Sequence, residues 1–116
     1  MILKQKLINA IKKAGDCRCY EFKLRNIEVN GRKTGCSGFI TNPKNAACVY
    51  VDTEGSCYGP LKGKIMYRYA YDTYDYSGFT NRWASSLEDL AEAVNRLLEV
   101  SVIFTDEWPA NQKEEH

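Results

Sequence analysis

The sequence predicts an α+β domain in which an N-terminal helix, an antiparallel sheet of about four strands and a C-terminal helix packed on one face follow in the order α-β-β-β-β-α. Three observations carry this. Apolar residues recur at intervals of three and four near both ends, at intervals of two between them, and Asn30-Gly31 separates two of the alternating runs. A chain of 116 residues with 44% apolar and 27% charged residues has the size and composition of one folded domain rather than of a disordered or fibrous chain. One core is expected over residues 1–105, with residues 106–116, polar and containing Pro109, as a flexible C-terminal tail.

Residues 2–14 place Leu3, Leu7, Ala10, Ile11 and Ala14 on one stripe, with lysines elsewhere, and Gly15 follows as a stop. Lys12 and Lys13 suit the negative end of that helix. From Cys19 the period becomes two. Tyr20, Phe22 and Leu24 alternate with Glu21, Lys23 and Arg25, and the apolar parity then switches to Ile27 and Val29, the mark of a bulge or twist. Asn30-Gly31 should close a type I′ turn, because both positions need positive φ. The returning strand is expected over residues 32–41, a turn at Asn42-Pro43-Lys44-Asn45, and a third strand over 46–53.

Residues 54–63 hold Gly55, Gly59, Pro60 and Gly63 and read as a loop. A fourth strand over 64–74 sets Ile65, Tyr67, Tyr69 and Tyr71 on one face and Met66, Arg68, Ala70 and Asp72 on the other. Ser77-Gly78 offers a turn, with a short strand over 79–83 after it. Ser86 then precedes Leu87, Leu90, Ala91, Val94, Leu97 and Leu98 at helical spacing, and Ser86 with Asp89 forms a capping-box-like start to a helix that runs to about Glu99. Residues 100–104 are β-branched and read equally as strand or helix.

The lysines at Lys4 and Lys6 interrupt any signal-like run, and no stretch approaches the roughly 20 apolar residues of a membrane span, so a cytoplasmic chain is expected. Net charge is +1, but residues 1–35 carry nine basic and three acidic residues, whereas residues 64–116 carry five basic and ten acidic ones. This asymmetry implies either a basic face for an anionic partner or two oppositely charged elements that neutralise each other on folding.

Five cysteines, Cys17, Cys19, Cys36, Cys48 and Cys57, include only one close pair, whereas a structural zinc site usually draws on two. With an unbulged hairpin Cys36 falls opposite Arg25, far from Cys19, and Cys48 falls beside Phe39 on the other face from Cys36. They are expected as reduced, buried, small hydrophobes, with no metal and no cofactor. His116 is the sole histidine, and Ser-His or Cys-His catalysis has no partner group in the body of the chain. Glu21-Phe22-Lys23 resembles part of a metal-dependent nuclease signature, but no earlier strand supplies the companion Asp. No catalytic residue is expected.

The segment 67–83 interleaves tyrosines with Asp72, Asp75, Asn81 and Arg82, a composition suited to protein contacts. Tyr67, Tyr69 and Tyr71 also fit a core row. The expected function is a small non-enzymatic binding protein of the inhibitor or immunity type, in the manner of the anti-CRISPR and other anti-defence proteins of phages and mobile elements. It would dock on a macromolecule, protein rather than nucleic acid, through an open sheet face and Tyr74, Asp75, Tyr76, Phe79, Arg82 and Trp83. The alternative is nucleic-acid binding through Lys12, Lys13, Arg18, Lys23, Arg25, Arg32 and Lys33. The order helix, strands, helix resembles the double-stranded RNA-binding domain, which implies such a basic face. That family opens its last helix with lysines, whereas Ser85-Ser86-Leu87-Glu88-Asp89 here would repel phosphate.

Overall fold

The computed structural model describes residues 1–15, 19–54, 63–71 and 80–99 of the chain. They form α1 (Lys4–Ala14), β1 (Glu21–Val29), β2 (Arg32–Asn42), β3 (Ala47–Asp52), β4 (Ile65–Ala70), β5 (Arg82–Ala84) and α2 (Leu87–Glu99). The fold is α+β, with a helix at each end of an antiparallel sheet whose strands are ordered β1-β2-β3-β4-β5 among the described residues. Among the described residues the sheet has five strands, the four main ones and the short run expected before α2, which pairs with β4 as β4 pairs with β3. Expectations for the loop after Glu54, for residues 100–104 and for the tail at 106–116 lie outside the described residues.

The β1–β2 hairpin follows its turn chemistry. Asn30 and Gly31 have φ of 53° and 78°, and Val29 pairs with Arg32. The parity switch becomes a bulge, since Ile27 pairs with Gly35 and Glu28 with Lys33, leaving Thr34 as the extra residue. One consequence is a correction: Cys36 pairs with Asn26, not Arg25. Further along, Gly38 has φ of 146°, and any Cβ there would overlap the carbonyl oxygen of Lys23 and crowd Leu24. Glycine is what lets β1 lie this close to β2.

Both helices cover the same face of the sheet. Leu7 and Ile11 of α1 and Leu90, Ala91, Val94, Leu97 and Leu98 of α2 pack with Cys36, Ile40, Val49, Val51, Ile65, Tyr69 and Ala84 in one core. Tyr67 packs half-buried against it, but Tyr71 is 62% exposed beyond the end of β4, so the tyrosine row reaches the core at two positions rather than three.

The helix ends are tied down by asparagines. The backbone N–H of Lys4, in the first turn of α1, donates to Asn26 Oδ1 at 2.8 Å. At the other end of the layer, Asn42 Nδ2 and Asn45 Nδ2 donate to the Leu98 carbonyl at 2.8 and 3.0 Å, which satisfies an acceptor in the last turn of α2. Between the helices, buried Asn95 Nδ2 donates to the carbonyls of Ile11 and Ala91 at 3.1 and 2.8 Å. The start of α2 is capped as its sequence implies, with Asp89 N–H donating to Ser86 Oγ at 3.1 Å. No helix among the described residues is long and apolar enough to cross a membrane.

Candidate binding face

Strand alternation sends every second residue to the face that neither helix covers, and the register aligns them in rows. One row is Lys23, Phe39, Tyr50 and Arg68; the next is Arg25, Ser37, Asp52, Met66 and Trp83. Neither helix contributes to the small apolar seam here, formed by Phe39, Cys48 and Ala70 with Tyr50 packed against it. The Phe39 and Tyr50 rings lie 5.0 Å apart, tilted by 51°, and the Arg68 guanidinium lies 4.9 Å from the Tyr50 ring centre. Arg68 is 2% exposed, and its Nη1 donates to the Tyr69 carbonyl at 3.0 Å.

The rim of this seam is what meets solvent. Lys23 and Arg25 are exposed, and Tyr50, Asp52 and Trp83 are half-buried. A shallow groove of about 380 Å³ lies at the β1 side of this face, with Lys23, Arg25 and Ser37 beside Phe39 and Tyr50. Gly38 positions this groove, because the close approach of β1 it permits holds Lys23 opposite Phe39 and Arg25 opposite Ser37. Burial pushes the Asp52 carboxyl above its ordinary range. The Glu54 N–H, which donates to Asp52 Oδ1 at 2.8 Å, opposes this, and the Glu54 charge adds to it.

Of the residues expected to dock, Tyr74, Asp75, Tyr76 and Phe79 lie outside the described residues. Arg82 and Trp83 lie on opposite faces of the sheet, since neighbouring strand residues alternate. Trp83 pairs with Met66 on the helix-free face, whereas Arg82 pairs with Tyr67 and its guanidinium lies 5.7 Å from the Tyr69 ring centre on the helix side.

The basic set is likewise divided. Lys23 and Arg25 share the helix-free face, Arg32 and Lys33 are exposed beside the Asn30-Gly31 turn, and Lys12 and Lys13 are exposed in the last turn of α1. Lys12 Nζ lies 5.8 Å from the Phe22 ring centre, on the helix side of the sheet. Arg18 lies outside the described residues. Phe39 and Tyr50 were not singled out by sequence; counting register from the turn through the bulge to β3 is the signal that finds them.

Cys36 and Cys48 are buried on opposite faces, Cys48 packing with Phe39 as its sequence position implies. Cys19 is exposed rather than buried, because it precedes β1 instead of lying within it. Cys17 and Cys57 lie outside the described residues. Burial raises the Cys36 thiol pKa to about 11, with the charge of Asp52 adding to the shift and a hydrogen bond with Thr53 opposing it. No protein-family model, no curated protein and no solved structure matches the chain.

Proposed function

We propose that the chain is a non-enzymatic docking protein, of the inhibitor or adaptor kind, that presents its helix-free sheet face to a protein partner. The observation that carries this reading is the juxtaposition of two exposed cations, Lys23 and Arg25, with the half-buried Tyr50 around one shallow groove, on a face that also carries the half-buried Trp83 at the far end of the Arg25 row. Aromatic and arginine side chains at the edge of a packed seam suit a partner surface with apolar and acidic groups. Nucleic acid is the second reading, favoured by the same cations beside the Tyr50 ring. It is weaker because Lys12 and Lys13 lie on α1, with Lys12 over Phe22 on the helix side, and the groove itself holds only Lys23 and Arg25 among the described residues, enough for a log-log salt slope of roughly −2.

The test compares Lys23→Glu/Arg25→Glu and Tyr50→Ala/Trp83→Ala with the unaltered protein as baits for partner capture. Loss of one partner protein with both variants supports the reading; retention with both rejects it. Fluorescence anisotropy with single-stranded and duplex oligonucleotides at several salt concentrations distinguishes the second reading. A slope of about −3 or steeper would put nucleic acid first.

A further inference from the structure

We propose that the outer surface of the helix pair is a contact between two copies of this chain related by a two-fold axis. The two helices are oppositely charged. α1 carries Lys4, Lys6, Lys12 and Lys13 and no acid, whereas α2 carries Glu88, Asp89, Glu92 and Glu99 against Arg96 alone. All nine side chains are exposed, and although the helices pack together, no ion pair among the described residues joins a lysine of α1 to an acid of α2. The two helices thus lie side by side with opposite charges and, among the described residues, without a direct ion pair between them.

Between the helices lies a groove of about 250 Å³, with Ala10, Ala14 and Ala91 inside it, Lys13 on one bank, and Glu88 and Glu92 on the other. A second copy turned by 180° has the complementary order of charges, so Lys13 of each copy meets Glu88 and Glu92 of the other, and the contact is made twice. The alanines keep the banks low, which lets two helix layers approach while the longer side chains reach across. Helices of 11 and 13 residues span about 16 and 20 Å, and two side by side are about 20 Å wide. Their footprint is therefore roughly 350 Å² per copy, about 700 Å² in all, less than the roughly 1,000 Å² of a stable interface, so the dimer is weak, transient and salt-sensitive. This goes beyond the docking reading, and it turns the helix-free faces of the two copies outward, giving an assembly with two docking faces.

Sedimentation equilibrium up to about 1 mM protein tests it without any other partner. The expected result is dimerisation at low salt, weakened about tenfold or more by added salt. Lys13→Glu and Glu92→Lys should each weaken self-association about tenfold, because each sets like charges across the axis. Mixed one to one, the two variants should form a heterodimer of near wild-type affinity, since both contacts regain opposite charges. That recovery also shows that both variants are folded. A wild-type chain that stays monomeric at low salt overturns the proposal, as does a dimer that neither variant weakens, or a mixture that fails to recover.

Discussion

The two faces of this sheet are written by alternate residues of the same strands, yet they differ in chemistry. The face beneath the helices is built from Ile40, Val49, Val51, Ile65 and Tyr69, and asparagines dock the helix ends onto it. The opposite face carries Lys23, Arg25, Asp52 and Arg68 among Phe39, Tyr50 and Trp83. Burial against two helices explains the first set completely. The second set contains two exposed cations, Lys23 and Arg25, that contribute little to folding.

Substitutions that treat the two faces as equivalent should fail to do so. The largest effect is expected from Ile40→Ala, which opens a cavity in the helix-covered core and should lower unfolding free energy by about 2–5 kcal/mol in urea titration. Asn42→Ala should cost about 2 kcal/mol by the same measurement. It removes both the donor to Leu98 and the Oδ1 that accepts the Lys44 N–H at 3.1 Å. Lys23→Ala and Arg25→Ala should stay within about 0.5 kcal/mol of the parent, while weakening docking. If they cost as much as Ile40→Ala, the contrast between the faces is wrong.

Asp52 sharpens the contrast through pH. Its folded pKa lies above the ordinary carboxylate value, so the folded state takes up the proton more readily than the unfolded state. Stability from this group is therefore gained as pH falls through the raised folded value toward the ordinary carboxylate range, and lost as pH rises through the same window. Asp52→Asn should remove that dependence and slightly raise the melting temperature at neutral pH, read from melting curves across the acid range.

Much of the fold was legible because local chemistry and tertiary structure agree in it. Both helices, the Asn30-Gly31 turn, the bulge and the Ser86 cap each follow from a short-range pattern. What escaped were the quantities that depend on counting across strands. Thr34, the single bulged residue, moved Cys36 from Arg25 to Asn26, and the same count decides that Phe39 and Tyr50 stand beside Lys23. The separation of Arg82 from Trp83 needed the pairing of β5, whose three residues give too short a run to show a period. Asn26 left one faint sign, since asparagine is a poor strand former and it lies within a strand, whereas Asn42, the last residue of β2, reads as the start of a turn.

Those asparagine anchors have a consequence for how the molecule responds to its medium. The helix layer is fastened to the sheet by neutral amides, whose hydrogen bonds neither titrate nor weaken appreciably as ionic strength rises. The surfaces offered outward depend on lysine, arginine and glutamate, whose attractions fade within a Debye length. Added salt is therefore expected to weaken any association made through the charged surfaces while the body that carries them stays assembled.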